Sequence, residues 1–172
     1  MIKFSIEKAF SVMKNRKWDC IYFAIDLHDT IIKGTYSQDD VFDTYPNCIE
    51  TLKLLTETKF IKLILFTSSF QDYVDDFYKW AEEKGIKFDY FNENPECGNT
   101  VSGDFSKKFY YNVMIDDKAG FNPEIDWRIV KNSVEQHVGI KNECICYSSS
   151  SCHEGKYFLI RNDCPIHQGN LR

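Results

Sequence analysis

No apolar run in this chain approaches the roughly 20 residues that a membrane-spanning helix requires. The opening Met1-Ile2-Lys3-Phe4-Ser5-Ile6-Glu7 has no long apolar core of the kind that a signal peptide carries. A soluble, cytoplasmic protein is the expectation, with no membrane among its partners. Positive charge is also scarce. The chain has 21 Lys and Arg against 26 Asp and Glu, a net charge of −5. Global attraction to nucleic-acid phosphates or anionic lipid is therefore not expected, although a local basic patch is compatible with that balance. Only four prolines and eight glycines interrupt the 172 residues. No linker, internal repeat or low-complexity tract is visible apart from serines 148–151. What is present suits a packed globule: 43% hydrophobic and 16% aromatic residues, in a length that supports one domain with a real core.

Three apolar runs end in chemically capable residues. Ile21-Tyr22-Phe23-Ala24-Ile25 leads into Asp26-Leu27-His28-Asp29-Thr30. Lys62-Leu63-Ile64-Leu65-Phe66 ends in Thr67-Ser68-Ser69, and Asn112-Val113-Met114-Ile115 ends in Asp116-Asp117. Short β-branched and aromatic runs read as buried strands. In open α/β sheets, ligands bind at the C-terminal ends of strands. Acids also follow strands simply because loops are polar, so Asp26 alone decides nothing. Together, an acid, a hydroxyl, a lysine pair (Lys107-Lys108) and an acid pair appear in that order at or near strand tips.

Order and spacing here resemble the haloacid dehalogenase-like hydrolase superfamily, whose first motif is DxDxT or DxDxV. The likeness runs from about Ile21 to Trp127, and is greatest to the small capless members found in bacteria and phages. It implies a Rossmann-like parallel sheet and an Mg2+-dependent phosphatase. Asp26 would be the nucleophile, forming an aspartyl-phosphate that splits one hard displacement into two easier ones. Asp26, the backbone carbonyl of His28 and one of Asp116 or Asp117 would hold Mg2+, which favours oxygen ligands. Thr67, with Ser68 less firmly, would bind the transferred phosphoryl oxygens. Lys108 would neutralise their charge, with Lys107 as the fallback. Asn92 and Asn94 fall where related capless hydrolases carry asparagines, so Asn92 is a substrate-rim candidate. Turn formation explains Asn94 before Pro95 more simply.

One position departs from the pattern. The usual phosphatase has a second Asp two residues after the nucleophile, which protonates the leaving group and then activates water. This chain has His28 there and Asp29 in the following place. Imidazoles change charge between about pH 5 and 8, which suits the same work. Asp29 taking over, or loss of acid/base catalysis, are the alternatives. The last would leave a weakened domain that binds a phosphorylated ligand or a protein partner.

The remaining pattern predicts a helix over residues 5–16 with Ser5 as N-cap, a polar flap over 31–45, and a helix from Pro46 to about Thr58 with Ile49, Leu52, Leu54 and Leu55 inward. It also predicts a helix over 71–84 stopped by Gly85, a short strand over 87–91, and a helix over about 124–137. Alternating strands and helices predict a parallel sheet with helices on both faces. The expected domains are 1–140, with residues 1–18 packed on it, and a cysteine-rich extension over 141–172. Only 37 positions separate Thr30 from Thr67, and 41 separate Thr67 from Lys108. Neither interval has room for a separate cap domain, so an open site is expected, which favours a large or polymeric phosphate ester or closure by a partner subunit. Tyr36, Tyr45 and Lys118 are rim candidates, with surface solvation their simpler explanation.

Four of the seven cysteines, Cys144, Cys146, Cys152 and Cys164, fall in the last 29 residues with His153 and His167. Thiolates and imidazoles are good Zn2+ ligands, but the paired Cys-x2-Cys knuckles of a strong zinc signature are missing. A hairpin with reduced thiols serving as small hydrophobes explains the cluster more simply than structural Zn2+ or redox chemistry does.

Overall fold

The computed structural model describes residues 1–34 and 42–139 of the chain. Two compact units are distinguished, Met1–Ser133 and Val134–Arg172. The first carries the sheet and the candidate site, and the predicted cysteine-rich extension lies outside the described residues. No helix among the described residues is long and apolar enough to cross a membrane.

The first unit is an α/β structure with four parallel strands in the order β3-β2-β1-β4. With its helices it is consistent with a Rossmann-like fold. Strand β1 (Ile21–Asp26) is buried through Ile25. That continuous apolar run is what a strand flanked on both edges needs. It pairs over its full length with β2 (Ile61–Phe66), from Ile21 opposite Ile61 to Asp26 opposite Phe66. Its other edge takes β4 (Val113–Ile115). Beyond β4, the Asn112 side chain prolongs the pairing by accepting the Tyr22 N–H at 2.9 Å.

Strand β3 (Tyr90–Phe91) is shorter than the predicted run from 87 to 91. Asp89 explains the difference. Its carboxylate takes the Leu63 N–H at 2.9 Å, so a side chain occupies the β2 group that a strand carbonyl would use.

Helix α1 (Ile2–Arg16) starts earlier than predicted. Ser5 is not its N-cap; Met1 holds that place, and the Ser5 N–H bonds the Met1 carbonyl at 3.4 Å. Ile2 extends the stripe Ile6, Ala9, Phe10 by one turn and is buried with it, which outweighs the capping preference of Ser5. The helix packs against β1 and β4. Helix α2 (Cys48–Glu57) begins two residues after Pro46, because Asn47 adopts a left-handed conformation at φ 62°. Cys48, Thr51, Leu52 and Leu55 face inward, while Ile49 and Leu54 are only half-buried. Helix α3 (Gln71–Glu83) ends as predicted ahead of Gly85, whose φ of 75° favours glycine. Helix α4 (Asp126–Val138) starts after Asn122 and Asp126 bond each other across the turn.

Glu96 ties the long β3–β4 connection to the sheet. It accepts from the Tyr22 hydroxyl at 2.8 Å, from the Lys62 ammonium at 3.0 Å and from the Tyr90 hydroxyl. These donors, Tyr90 foremost, hold its carboxyl down to about 2. A depressed folded-state value adds stability above the ordinary carboxylate range, and that stability is lost as pH falls toward 2. Glu96 is exposed, so solvent screening cuts the gain to about 1 kcal/mol. Urea melts of Glu96→Gln should show that penalty at pH 7. The gap to the parent should shrink as pH falls from about 4.5 toward 2.

Candidate active site

The strand order makes the carboxyl end of β1 a topological switch point. The chain leaves β1 toward β2 on one side, while β4 lies on the other. Crevices outside such points are where open α/β sheets bind ligands. Ile25 is in register with Ile115, so Asp26 and Asp116 leave the sheet at the same level. Asp26 is in register with Phe66, which puts Thr67 one residue beyond. Three sequence-predicted positions are thus delivered to one edge by pairing alone.

Asp26, Asp116 and Asp117 form a cluster in which one oxygen from each lies within 4.8 Å of the others. Thr30 ties it together. Its hydroxyl donates to Asp26 Oδ2 at 3.1 Å and accepts the Asp117 N–H at 3.1 Å. The Thr30 hydroxyl thus joins both halves of the cluster. Asp116 Oδ1 accepts the Lys118 N–H at 2.7 Å, opening a short 3-10 turn over Asp117–Ala119. The Thr30 carbonyl accepts the Trp127 indole N–H at 2.9 Å, and Trp127 is fully buried.

Burial pushes the Asp26 carboxyl up to about 6. Hydrogen bonds from the Leu27 N–H and the Thr30 hydroxyl oppose the rise, while Asp116 and Asp117 add to it. Three carboxylates held this close repel unless a cation or proton intervenes. The nearest ammonium is that of Lys118, 2.7 Å from Asp117 Oδ2. The other Asp117 oxygen, Oδ1, is buried with no hydrogen-bond partner among the described residues. A buried, unsatisfied carboxylate oxygen among converging hard donors fits a divalent cation such as Mg2+. The backbone around His28 fits as well. The Ile32 strand contact uses the Leu27 carbonyl and the Asp29 N–H, so the His28 carbonyl accepts no backbone bond among the described residues.

Thr67 stands on the opposite side. It is buried, and Asn92 clamps its backbone: Asn92 Oδ1 accepts the Thr67 N–H at 2.9 Å, and Asn92 Nδ2 donates to the Thr67 carbonyl at 2.6 Å. The Asn92 amide is thereby committed to positioning Thr67. The Thr67 hydroxyl bonds Ser69 Oγ at 2.9 Å and accepts the Ser69 N–H at 3.2 Å. Ser69 Oγ lies 3.4 Å from His28 Nδ1, a long contact, and the His28 ring stacks on Tyr73 at 5.4 Å. Ser68 is exposed.

The expected lysine is not drawn to the carboxylates. Lys108 is exposed and its ammonium lies 5.9 Å from the centroid of the Tyr111 ring. Lys118, a rim candidate, is the lysine beside the cluster. Asp29 is engaged elsewhere: it sits at φ 57° and accepts the Gly34 N–H at 3.0 Å. A Cβ on Gly34 would meet Asp29 Oδ1 at 2.8 Å, so a larger residue there would displace the Asp29 carboxylate. Tyr45 lies 6.0 Å from the Lys33 ammonium. Asn94 is buried; its Oδ1 accepts the Glu96 N–H at 3.2 Å, a turn-building bond, and its Nδ2 donates to the Tyr110 carbonyl at 2.8 Å across 16 positions. Tyr36, Cys144, Cys146, Cys152, Cys164, His153 and His167 lie outside the described residues. Sequence reasoning passed over Ser69, Tyr73 and Trp127. Ser69 stands in the tract Thr67-Ser68-Ser69, whereas nothing in the sequence links Trp127 to a carbonyl 97 positions earlier.

No protein-family model and no curated protein matches the chain. Among solved structures it is similar to a conserved protein coded by a locus of Bacteroides thetaiotaomicron. The two are 28% identical with a TM-score of 0.53, over 69% of this chain and 92% of that one. The likeness agrees with the α/β parallel-sheet architecture.

Proposed function

We propose that the chain is an Mg2+-dependent phosphatase of the haloacid dehalogenase-like, capless type, acting through an aspartyl-phosphate on Asp26. The observation that carries the reading is the meeting of Asp26 with Asp116 and Asp117 at the switch point of the sheet. Asp26, Asp116, Asp117 and the His28 carbonyl would hold the cation, which when bound supplies charge neutralisation for an anion approaching a phosphate.

Asp26 attacks phosphorus, and the bond to the ester oxygen breaks. The leaving oxygen takes a proton from His28. His28 then accepts a proton from the water that hydrolyses the aspartyl-phosphate, releasing inorganic phosphate and freeing Asp26. Thr67, held by Asn92, offers its hydroxyl and nearby N–H groups to the phosphoryl oxygens. The first turn of α3 has no side-chain cap, so its N–H groups add donors on that side. Ser68 is the further donor on the Thr67 loop. Lys108 supplies positive charge from the loop ahead of β4, where it has no carboxylate partner among the described residues.

A second reading has one observation in its favour. The His28 ring is engaged with Ser69 and Tyr73, on the α3 side of the site. A domain with its acid/base group held there would bind a phosphorylated ligand or protein partner and turn it over slowly.

Phosphate release from an aryl phosphate, with Mg2+ and after chelation, separates the two across about pH 5–8. Turnover that needs the cation is expected from the phosphatase. Absence of turnover at every pH, with Mg2+ present, would favour the binding domain.

A further inference from the structure

Beside the candidate site lies an aromatic shelf that the chemistry above leaves unused. Phe66 is the last residue of β2, in register with Asp26 and directly before Thr67. It is 36% exposed, one of the few large apolar residues among the described residues left open to solvent. Phe109 packs on it at 5.6 Å and 67°, and Tyr111 follows Phe109 at 5.9 Å and 65°. The Lys108 ammonium lies over Tyr111.

Phe109 also lines a cleft of about 260 Å3 with Asn92, Asn94, Pro95 and Lys107. Asn92 is the residue that clamps Thr67, so cleft and phosphoryl-binding loop share a wall. Whole small-molecule pockets run to about 300–1,000 Å3. A cleft this small takes one ring system rather than an entire ligand. Glu93 and Lys107 stand at its mouth, neither paired with another side chain among the described residues. They offer an acceptor and a donor to a ring that carries heteroatoms, which a hydrocarbon ring would waste.

We infer that the shelf of Phe66 and Phe109 and the adjoining cleft seat the base of a nucleotide whose phosphate lies at Thr67 and Asp26. The inference rests on the phosphatase reading for the position of the phosphate. Bases stack on aromatic side chains because every base has a π-face. Such stacking is worth on the order of tenfold in binding for one ring. It is local, and is compatible with the acidic balance of the chain because it relies on ring faces rather than on a run of phosphates.

Adenosine 5′-monophosphate and ribose 5-phosphate share the scissile bond and differ by the base, so their comparison isolates the shelf. The nucleotide is expected to have a kcat/KM about tenfold or more above that of the sugar phosphate, mainly through KM. Phe109→Ala should bring that ratio toward one, and Phe109→Trp should keep it; thermal melts of both variants report folding. Equal kcat/KM for the two esters in the parent would overturn the inference and leave the phosphatase reading intact. If neither ester is hydrolysed, calorimetric titration of the parent with the same two compounds and Mg2+ decides. Tighter binding of the nucleotide, lost in Phe109→Ala, sustains the shelf without the chemistry. Equal or absent binding overturns it.

Discussion

Asp26→Asn should reduce Mg2+-dependent phosphate release to the rate of the reaction without protein, a loss on the order of 10^4-fold or more for removal of a nucleophile. The amide keeps the shape of the carboxylate. Its oxygen can still accept from Thr30, so the bridge to Asp117 has no reason to break. The substitution also removes one of three crowded negative charges from a site where burial already holds the Asp26 carboxyl up to about 6. The metal-free variant should therefore melt no lower than the metal-free parent. Loss of turnover with an unchanged or raised melting temperature assigns Asp26 to the chemistry. Loss with a lowered one would assign it to the fold, and retained turnover would remove it as the nucleophile. Asp26→Glu is the companion test. One added methylene misplaces the attacking oxygen by about 1 Å, enough to cost on the order of 100-fold while the charge is kept.

The second large effect belongs to Trp127, which touches no substrate in the mechanism proposed. It is the largest fully buried side chain among the described residues, packs edge-on against Phe121 at 5.2 Å, and accepts the Thr51 hydroxyl on its carbonyl at 3.2 Å. Trp127→Ala opens a cavity and should cost about 3–5 kcal/mol. For a chain of this size that is a fall on the order of 10 °C in melting temperature. Trp127→Phe keeps much of the volume and removes the N–H, leaving the Thr30 carbonyl without its partner at a cost of about 1–3 kcal/mol. Both variants lose the indole N–H to Thr30, so both should lose turnover, while calorimetry should separate them by the cavity that only Trp127→Ala opens. The phenylalanine variant should retain most of the stability yet lose a disproportionate share of kcat, because the loop that joins Asp26 to Asp117 is slackened.

Strands β1 and β2 were legible because each is an apolar run, interrupted in β2 only by Lys62, that leads to a polar tip, and pairing then carries Asp26, Asp116 and Thr67 to one level. Helix limits were less legible. Ser5 has the chemistry of a cap, but Ile2 has surface to bury, and burial won. Strand β3 was overestimated because Asp89 uses its side chain where a ladder would use backbone. Within the site, residue types pointed to Asp26 and the acid pair. Thr30 reaching Asp117, and Trp127 reaching Thr30, depend on contacts across 87 and 97 positions, which no local pattern encodes. The placement of Lys108 over Tyr111 was hidden for a different reason. A lysine eight residues before an acid has the right spacing, but its long stem can lie along either side of the loop.

The lengths of the strands have a consequence for how the acid cluster holds together. Asp26 ends a six-residue strand with a neighbour on each edge, whereas Asp116 and Asp117 follow a strand of three residues that, among the described residues, pairs on one side. Amide exchange in such a sheet proceeds from short borders inward, since opening a border exposes little apolar surface. The carboxylates are thus expected to be divided between a slow-exchanging part of the sheet and a faster one, which amide hydrogen exchange would read directly. Their mutual repulsion works to part them along that division, and a ligand that bridges it is held at the expense of border opening. Occupancy of the cluster and closure of the β4 border are in that sense a single equilibrium.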